Sequence, residues 1–212
     1  MLPSVLPIFP LPTAVLFPNV FLPLHIFEPR YRQMVADALA GDRMIGMVLL
    51  QPGYEAHYEE TPAVYDIGCA GLMTHSERLA DGRYNIVLRG LHRFRILGEE
   101  SPTGTVLYRR ALVAPLVERE DESSVVLKAE RQKLEALLTP LLSNSHAERG
   151  LPRSMPDPDL INALAQYLEL EPIEKLALLE RDGPLARCRA LVELLEMKAL
   201  GAKGLGGDSR IH

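Results

Sequence analysis

Along VFLPLHIF (20–27) the side chains alternate, so Val20, Leu22, Leu24 and Ile26 share one face while Phe21, Pro23, His25 and Phe27 share the other. That period of two reads as a strand. MIGMVLL at 44–50 is an unbroken apolar run and reads as a buried strand. RLADGRYNIVLRG reads as a hairpin, with Asp81-Gly82 predicting a two-residue turn. RFRIL then alternates again, predicting Phe94 and Ile96 inward and Arg93 and Arg95 outward, and TVLYRRALVAPL (105–116) supplies one more strand. Short strands at this spacing, broken by Gly, Pro and Asp, predict a small barrel or sandwich. Seven of the seventeen prolines fall in the first 29 residues. Those inside strands must sit at edges or bulges, because each removes a ladder donor.

The period changes to that of a helix after HIFEPRYR. Glu28 is placed to cap, Pro29 takes the first helical position and Gly41 ends the run. Tyr31, Met34, Val35, Ala38 and Leu39 form one apolar face. Past the acidic run at 118–122 the pattern is helical throughout. Leu127, Leu134, Leu138 and Leu141 point one way, Leu160, Ile161, Leu164 and Leu168 form a second stripe, and Leu185, Cys188, Leu191, Val192 and Leu195 a third. Asp157-Pro158 and Glu171-Pro172 mark helix starts, the loop 143–157 separates two helices, and the glycine-rich tail reads as disordered.

Composition changes this picture little. Hydrophobic content of 47% with 24% charged residues predicts a packed core. The net charge of −5 disfavours a dedicated nucleic-acid binder. Residues 1–115 hold ten Arg and no Lys, which predicts guanidiniums fixed in pairs rather than a polyanion-binding surface. Cys69 and Cys188 lack any CxxC partner, so neither a disulfide framework nor a zinc site is expected, and the six His show no HxH or HxxxH spacing for any other metal. No basic leader opens the chain and no apolar run reaches membrane-spanning length; a cytoplasmic protein is the expectation.

Four constellations could carry function. His25, Glu28 and Arg30 could form an acid–base cluster, but Glu28, Pro29 and Arg30 are better read as a structural strand-to-helix junction, with Arg30 and Arg32 expected to pair with carboxylates in a turn unfavourable to cations. Cys69 with His75 or His57 could form a nucleophile pair, yet a Cys between small residues in a strand is ordinarily core filler. Arg89, Arg93, Arg95 and Arg109, with Arg83, His92 and Arg110, could form a phosphate-contacting face; the bland alternative is a solvated face paired to Glu99 and Glu100. The strand 20–27 is apolar on both faces. Either helices cover its odd face, or Phe17, Phe21, Pro23, His25 and Phe27 remain accessible as a binding patch.

LPIFPLPTAVLFPNVFLPLHIFEPRYRQMV resembles the opening of the amino-terminal, substrate-binding domain of Lon-type ATP-dependent proteases. GRYNIVLRGLHRFRI resembles that domain's hairpin, and EKLALLERDGPLARCRALVELLE the helices that follow it, so the likeness covers roughly residues 5–200. The resemblance implies a PUA-like β-barrel or pseudo-barrel for the first half; with the helices read from the caps above, the expectation is an α+β chain with that barrel and one inserted helix over 1–117, a bundle of about four helices over 118–202 and a tail at 203–212. It also implies recognition of unfolded or degron-bearing polypeptides, in company with a protease or chaperone. Nothing fits GxxxxGK[ST], GAKGLGG has the wrong spacing, and no Ser–Lys peptidase segment is present. The expectation is a non-enzymatic polypeptide-recognition module without cofactor or metal. An RNA-binding PUA-like protein using the arginine strands is the alternative, because a fold alone does not set function.

Overall fold

The computed structural model describes residues 2–57, 61–101, 104–118, 124–143 and 155–205. Strand β1 (Val5–Leu11) pairs antiparallel with β6 (Arg109–Pro115) through Val5–Ile8, and parallel with β3 (Met44–Leu50) through Ile8–Leu11. Pro7 and Pro10 therefore each have a partner strand on one side only, the placement a residue without an N–H tolerates. β4 (Val64–Arg78) pairs with β3, and β5 (Tyr84–Glu99) pairs with β4 along most of its length. The end of β5, from Phe94 to Glu99, also pairs with β6. That pairing closes β5-β4-β3-β1-β6 into a barrel. β2 (Phe21–Ile26) lies outside the closure and adds to β5 between Tyr84 and Arg89.

Leu6, Ile8, Val48, Val64, Phe94 and Val113 meet inside the barrel, where burial of their apolar surface supplies the main driving force. One glycine decides where the β1–β2 connection runs. A Cβ on Gly90 would fall 2.0 Å from the Phe17 carbonyl oxygen, so only glycine lets that connection cross β5. The crossing is pinned by hydrogen bonds from Asn19 N–H to Gly90 O and from Gly90 N–H to Val20 O, both 2.9 Å.

Helix α1 (Pro29–Ala40) spans the predicted residues and buries Tyr31, Met34, Val35 and Ala38, with Tyr31 against Phe9 at 4.4 Å between rings. Three local expectations need correction. Glu28 occupies the cap position, but its side chain makes no capping hydrogen bond; the carboxylate instead holds Arg30 at 2.8 Å. A charge-assisted bond to a guanidinium outcompetes one to a neutral N–H. Arg32, expected to pair likewise, has no carboxylate partner among the described residues. The hairpin turn also differs. Leu79 N–H bonds Arg83 O and Gly82 N–H bonds Leu79 O, so the loop is the three residues Ala80-Asp81-Gly82, with Gly82 alone at positive φ (+82°). That is a type I turn closed by a left-handed glycine. Asp81 stays right-handed because its carboxylate accepts from the Arg83 backbone and guanidinium.

After the barrel come α2 (Ser124–Ser143), α3 (Asp157–Tyr167), α4 (Pro172–Leu179) and α5 (Pro184–Leu205), matching the expected number of about four. The chain forms two compact units. One comprises the residues through Val117 together with Asn162–Glu180; the other comprises Glu118–Ile161 and the residues from Arg181 onward. The segment 162–180 thus belongs with the sheet, although 118–202 was expected to form one bundle. Polar side chains that bind the sheet's loops, described below, account for the difference. In the second unit α2 packs on α5, burying Leu127, Leu134, Leu138, Leu185, Cys188 and Leu191. Arg187 is fully buried there and its Nη2 meets Glu118 at 2.6 Å. The expected tail starts inside α5, which continues through Leu205; 206–212 and most of the expected 143–157 loop lie outside the described residues.

Candidate functional site

Strand β2 shows how an edge strand can be apolar on both faces. Its even positions turn toward the barrel, with Val20 and Ile26 buried, while Phe21, Pro23, His25 and Phe27 are all exposed, Phe21 by 49% and Phe27 by 60%. Register places this odd face in a wider sheet: His25 lies opposite Asn85 and Asn85 opposite Glu77, while Pro23 lies opposite Val87 and Val87 opposite His75.

Phe17 requires a correction. It was grouped with the accessible patch but is fully buried. The reason lies in α3, whose Gln166 accepts the Phe17 N–H at 3.0 Å and whose Asn162 donates to Pro18 O at 3.0 Å. These bonds draw the connection inward. Gln166 Nε2 and the Tyr167 hydroxyl also donate to Phe21 O, at 3.0 and 2.6 Å. Tyr167 itself is 63% exposed, so its ring extends the Phe21 patch. The sequence pattern missed these three residues. Their signal was an amide pair at 162 and 166, one helical turn apart, facing a proline-interrupted loop whose backbone needs outside partners.

His25 is held by a chain of hydrogen bonds. Nδ1 lies 2.8 Å from Asn85 Oδ1, Asn85 Nδ2 donates to Glu77 at 3.1 Å, and Arg83 Nη1 approaches His25 Nε2 at 3.3 Å. Because the amide nitrogen is committed to Glu77, Asn85 Oδ1 is the acceptor, and Nδ1 carries the imidazole proton. Nε2 then accepts from Arg83. The ring stacks near Phe27, at 6.4 Å between centroids. Arg83 in turn pairs with Asp81 at 2.6 Å, and its hydrogen bond holds the Asp81 carboxyl below the ordinary carboxylate range. The result is an aromatic surface beside a hydrogen-bonded polar row.

The arginine strands do not form one face. Arg93 is buried rather than outward, and Nη1 donates to the carbonyl of Leu179 at 3.0 Å. Leu179 is the last residue of α4, where helix carbonyls lack internal partners and a cation is favoured. Arg109 is engaged by Glu99 and by Pro62 O, and Arg110 by Glu100 at 3.2 Å. Arg89 donates to Asn19 Oδ1 at 3.0 Å. Only Arg89 and Arg95 of the four candidates remain exposed. Cys69 is fully buried and His75 exposed, so the thiol is closed to a substrate; the side chain of His57 lies outside the described residues. Among the described residues no group of three or more His, Cys, Asp or Glu could hold a metal, and no helix is long and apolar enough to cross a membrane.

A five-stranded closed barrel with one inserted helix, one added edge strand and trailing helices places the protein in the PUA-like α+β class seen in Lon amino-terminal domains. The chain belongs to the family described as the ATP-dependent protease La (LON) substrate-binding domain, whose model matches residues 5–197. It is 30% identical over 166 residues to the Lon protease of Dictyoglomus thermophilum, a match covering 77% of this chain and 19% of that protein. With the Lon protease of Trichlorobacter lovleyi the identity is 28% over 197 residues, covering 92% and 24%. The chain thus spans about a fifth to a quarter of the length of these curated relatives. Among solved structures, the Lon N-terminal domain protein from Xanthomonas campestris matches with a TM-score of 0.58 at 24% identity, covering 90% of this chain and 98% of that one. The N-terminal domain of Mycobacterium avium complex Lon protease matches with a TM-score of 0.68 at 17% identity, covering 91% and 98%.

Proposed function

We propose that these residues recognise extended segments of unfolded or degron-bearing polypeptides through the outer face of β2, as the non-catalytic recognition part of Lon-type proteolysis. The observation that carries this reading is the row Phe21, Pro23, His25 and Phe27, exposed together on an edge strand and lengthened by Tyr167. Membership of a substrate-binding family supports it. So does the sequence, which holds no Walker loop or Ser–Lys peptidase segment in these 212 residues. Burying one exposed Phe against a client contributes about 1.5–3 kcal/mol, enough for weak binding when two or three apolar groups engage. The dispersal of Arg93 and Arg109 into internal contacts weighs against the arginine-face reading for RNA.

The test is fluorescence anisotropy with a labelled unfolded polypeptide at two salt concentrations, on the wild type and on Phe21→Asp and Phe27→Asp. Salt-tolerant binding weakened about tenfold or more by each variant is the expected result, since ~1.4 kcal/mol is a factor of ten. Binding unchanged in both variants, or no saturation with any unfolded polypeptide, would overturn the proposal.

A further inference from the structure

Of the ten arginines before residue 116, six have a partner for the guanidinium among the described residues, and two of the other four share one hollow. Arg30, Arg83, Arg109 and Arg110 meet carboxylates, Arg93 a helix carbonyl and Arg89 an asparagine. Arg32 and Arg78 meet no carboxylate among the described residues, yet both line one concavity of about 320 Å³. Pro29, Gln33 and Ala36 of α1, with Gly82 and Tyr84 of the hairpin, form its remaining walls. Arg78 and Tyr84 are register partners one step out of phase with Glu77 and Asn85, so they emerge on the opposite side of the hairpin from the His25 row. This is a separate site from the β2 face.

Both guanidiniums lie against the hairpin. A Cβ on Gly82 would fall 2.3 Å from Arg32 Nη2, so the turn glycine makes room for Arg32. The Arg78 guanidinium carbon lies 6.0 Å from the centre of the Tyr84 ring. Among the described residues no acid lines the concavity, and the acids nearest in sequence are engaged elsewhere: Glu28 holds Arg30, Asp81 holds Arg83, and Glu77 accepts from Asn85 on the other side of the hairpin. Gln33 is committed as well, donating to Thr105 O and accepting from Leu107 N–H. Two uncompensated cations in one hollow repel each other, and Arg32 stands in a first helical turn where a cation is disfavoured. Such an arrangement costs stability until an anion arrives.

We propose that Arg32 and Arg78 form a binding site for a phosphoryl monoester dianion. Two planar donor forks match the several oxygens of a phosphoryl group, and two positive charges match its double negative charge, whereas a single carboxylate would leave one guanidinium uncompensated. The phosphoryl group can belong to free orthophosphate or to a phosphorylated side chain of a polypeptide.

Titration calorimetry at constant ionic strength tests this with sodium phosphate, a phosphoserine peptide and the same peptide unphosphorylated, on wild type, Arg32→Gln and Arg78→Gln. Saturable phosphate or phosphopeptide binding, weakened about tenfold by each substitution, is expected from the loss of one charge-assisted pair. Phosphopeptide binding tighter than orthophosphate identifies the polypeptide source; equal or exclusive orthophosphate binding identifies the free anion. Without phosphate, Arg32→Gln should melt at the same or a higher temperature than wild type, because it removes a repulsion. Affinity unchanged in both variants, or no saturation by either phosphate source, overturns the proposal. So does a melting temperature lowered in Arg32→Gln, which would make that arginine a structural prop. Single-stranded RNA binding that depends on both arginines while neither monoester binds would also overturn it, in favour of a phosphodiester.

Discussion

Gln166→Ala tests whether two hydrogen bonds from one amide position the binding face. Gln166 is only 6% exposed, and it accepts from Phe17 N–H and donates to Phe21 O, each at 3.0 Å. Alanine removes both bonds, but the two losses are unequal. Phe21 O retains the Tyr167 hydroxyl at 2.6 Å, whereas the Phe17 N–H loses this acceptor inside the core. A buried donor deprived of its acceptor costs about 1–3 kcal/mol, and a bond lost where a second partner remains about 1 kcal/mol or less. The sum predicts a loss of about 2–3 kcal/mol, or roughly 4–12 °C in melting temperature for a chain of this size. Tyr167→Phe removes one exposed bond and leaves Gln166 in place, so it should cost about 1 kcal/mol or less. Urea unfolding followed by tyrosine fluorescence and by circular dichroism gives both values. A Gln166→Ala loss below about 0.5 kcal/mol, or one no larger than that of Tyr167→Phe, would refute the reasoning, since it would mean that the loop's position is set without the amide.

Gly82→Ala forces a Cβ into a left-handed turn at φ +82° and against Arg32, so a stability loss of about 1–2 kcal/mol is expected in urea unfolding. Pairing it with Arg32→Ala should recover part of that loss, and no recovery would show that the clash is absent. Glu118→Gln takes away the carboxylate facing the fully buried Arg187; about 3 kcal/mol should be lost from the helical unit, read by circular dichroism at 222 nm. Burial, and secondarily Glu130 and Asp157, push the Cys188 thiol up from 9.0 to about 12. Between those values the unfolded chain has released a proton that the folded chain keeps, so stability should fall as pH rises through that window and hold steady below it. Cys188→Ser should flatten the alkaline slope; an unchanged slope would assign it to other groups, such as Tyr108, which burial also raises to about 12.

Legibility in the sequence followed the range of the interactions. Helix α1 was readable to the residue because Pro29, the Tyr31–Met34–Val35–Ala38 face and Gly41 all act within a few positions of one another. The strand period at β2 separated inner from outer side chains for the same reason. Arg93 was misread because local alternation assigns it to the outside, while its partner is the end of a helix 86 residues later. Phe17 failed likewise: the side chains that pull it inward lie on α3, where Asn162 and Gln166 look like a solvated stripe beside Leu160 and Ile161. Those same two amides draw 162–180 to the sheet, so one missed pair explains both the buried phenylalanine and the different division of the chain. Arg32 was expected to find a carboxylate on general grounds, and only the placement of Gly82 and Arg78 in the fold shows where it lies instead.

The backbone of β2 then decides how a client would be held. Val20 O is turned toward β5, so the even residues carry the ladder and the odd residues present their N–H and C=O groups to the open edge. At that edge Phe21 O is taken by Gln166 and Tyr167, and Pro23 has no N–H to offer. The outward groups that remain on the strand are the Phe21 N–H, the Pro23 carbonyl and the backbone of His25, interrupted at Pro23 and too few for a peptide to add as a strand of ordinary length. A proline here also keeps a second copy of the sheet from pairing with the edge. On the proposed function, recognition on this face would therefore run through side chains, with Phe21, His25, Phe27 and Tyr167 packing against apolar groups of the client. A peptide that binds this way should keep its affinity within about threefold when alternate backbone nitrogens are methylated, and lose about tenfold or more when its aromatic residues become serine. Competition anisotropy against the labelled unfolded polypeptide measures both. Loss of binding on N-methylation, with the aromatic residues intact, would mean that the client pairs with the strand edge and that the apolar row is only its frame.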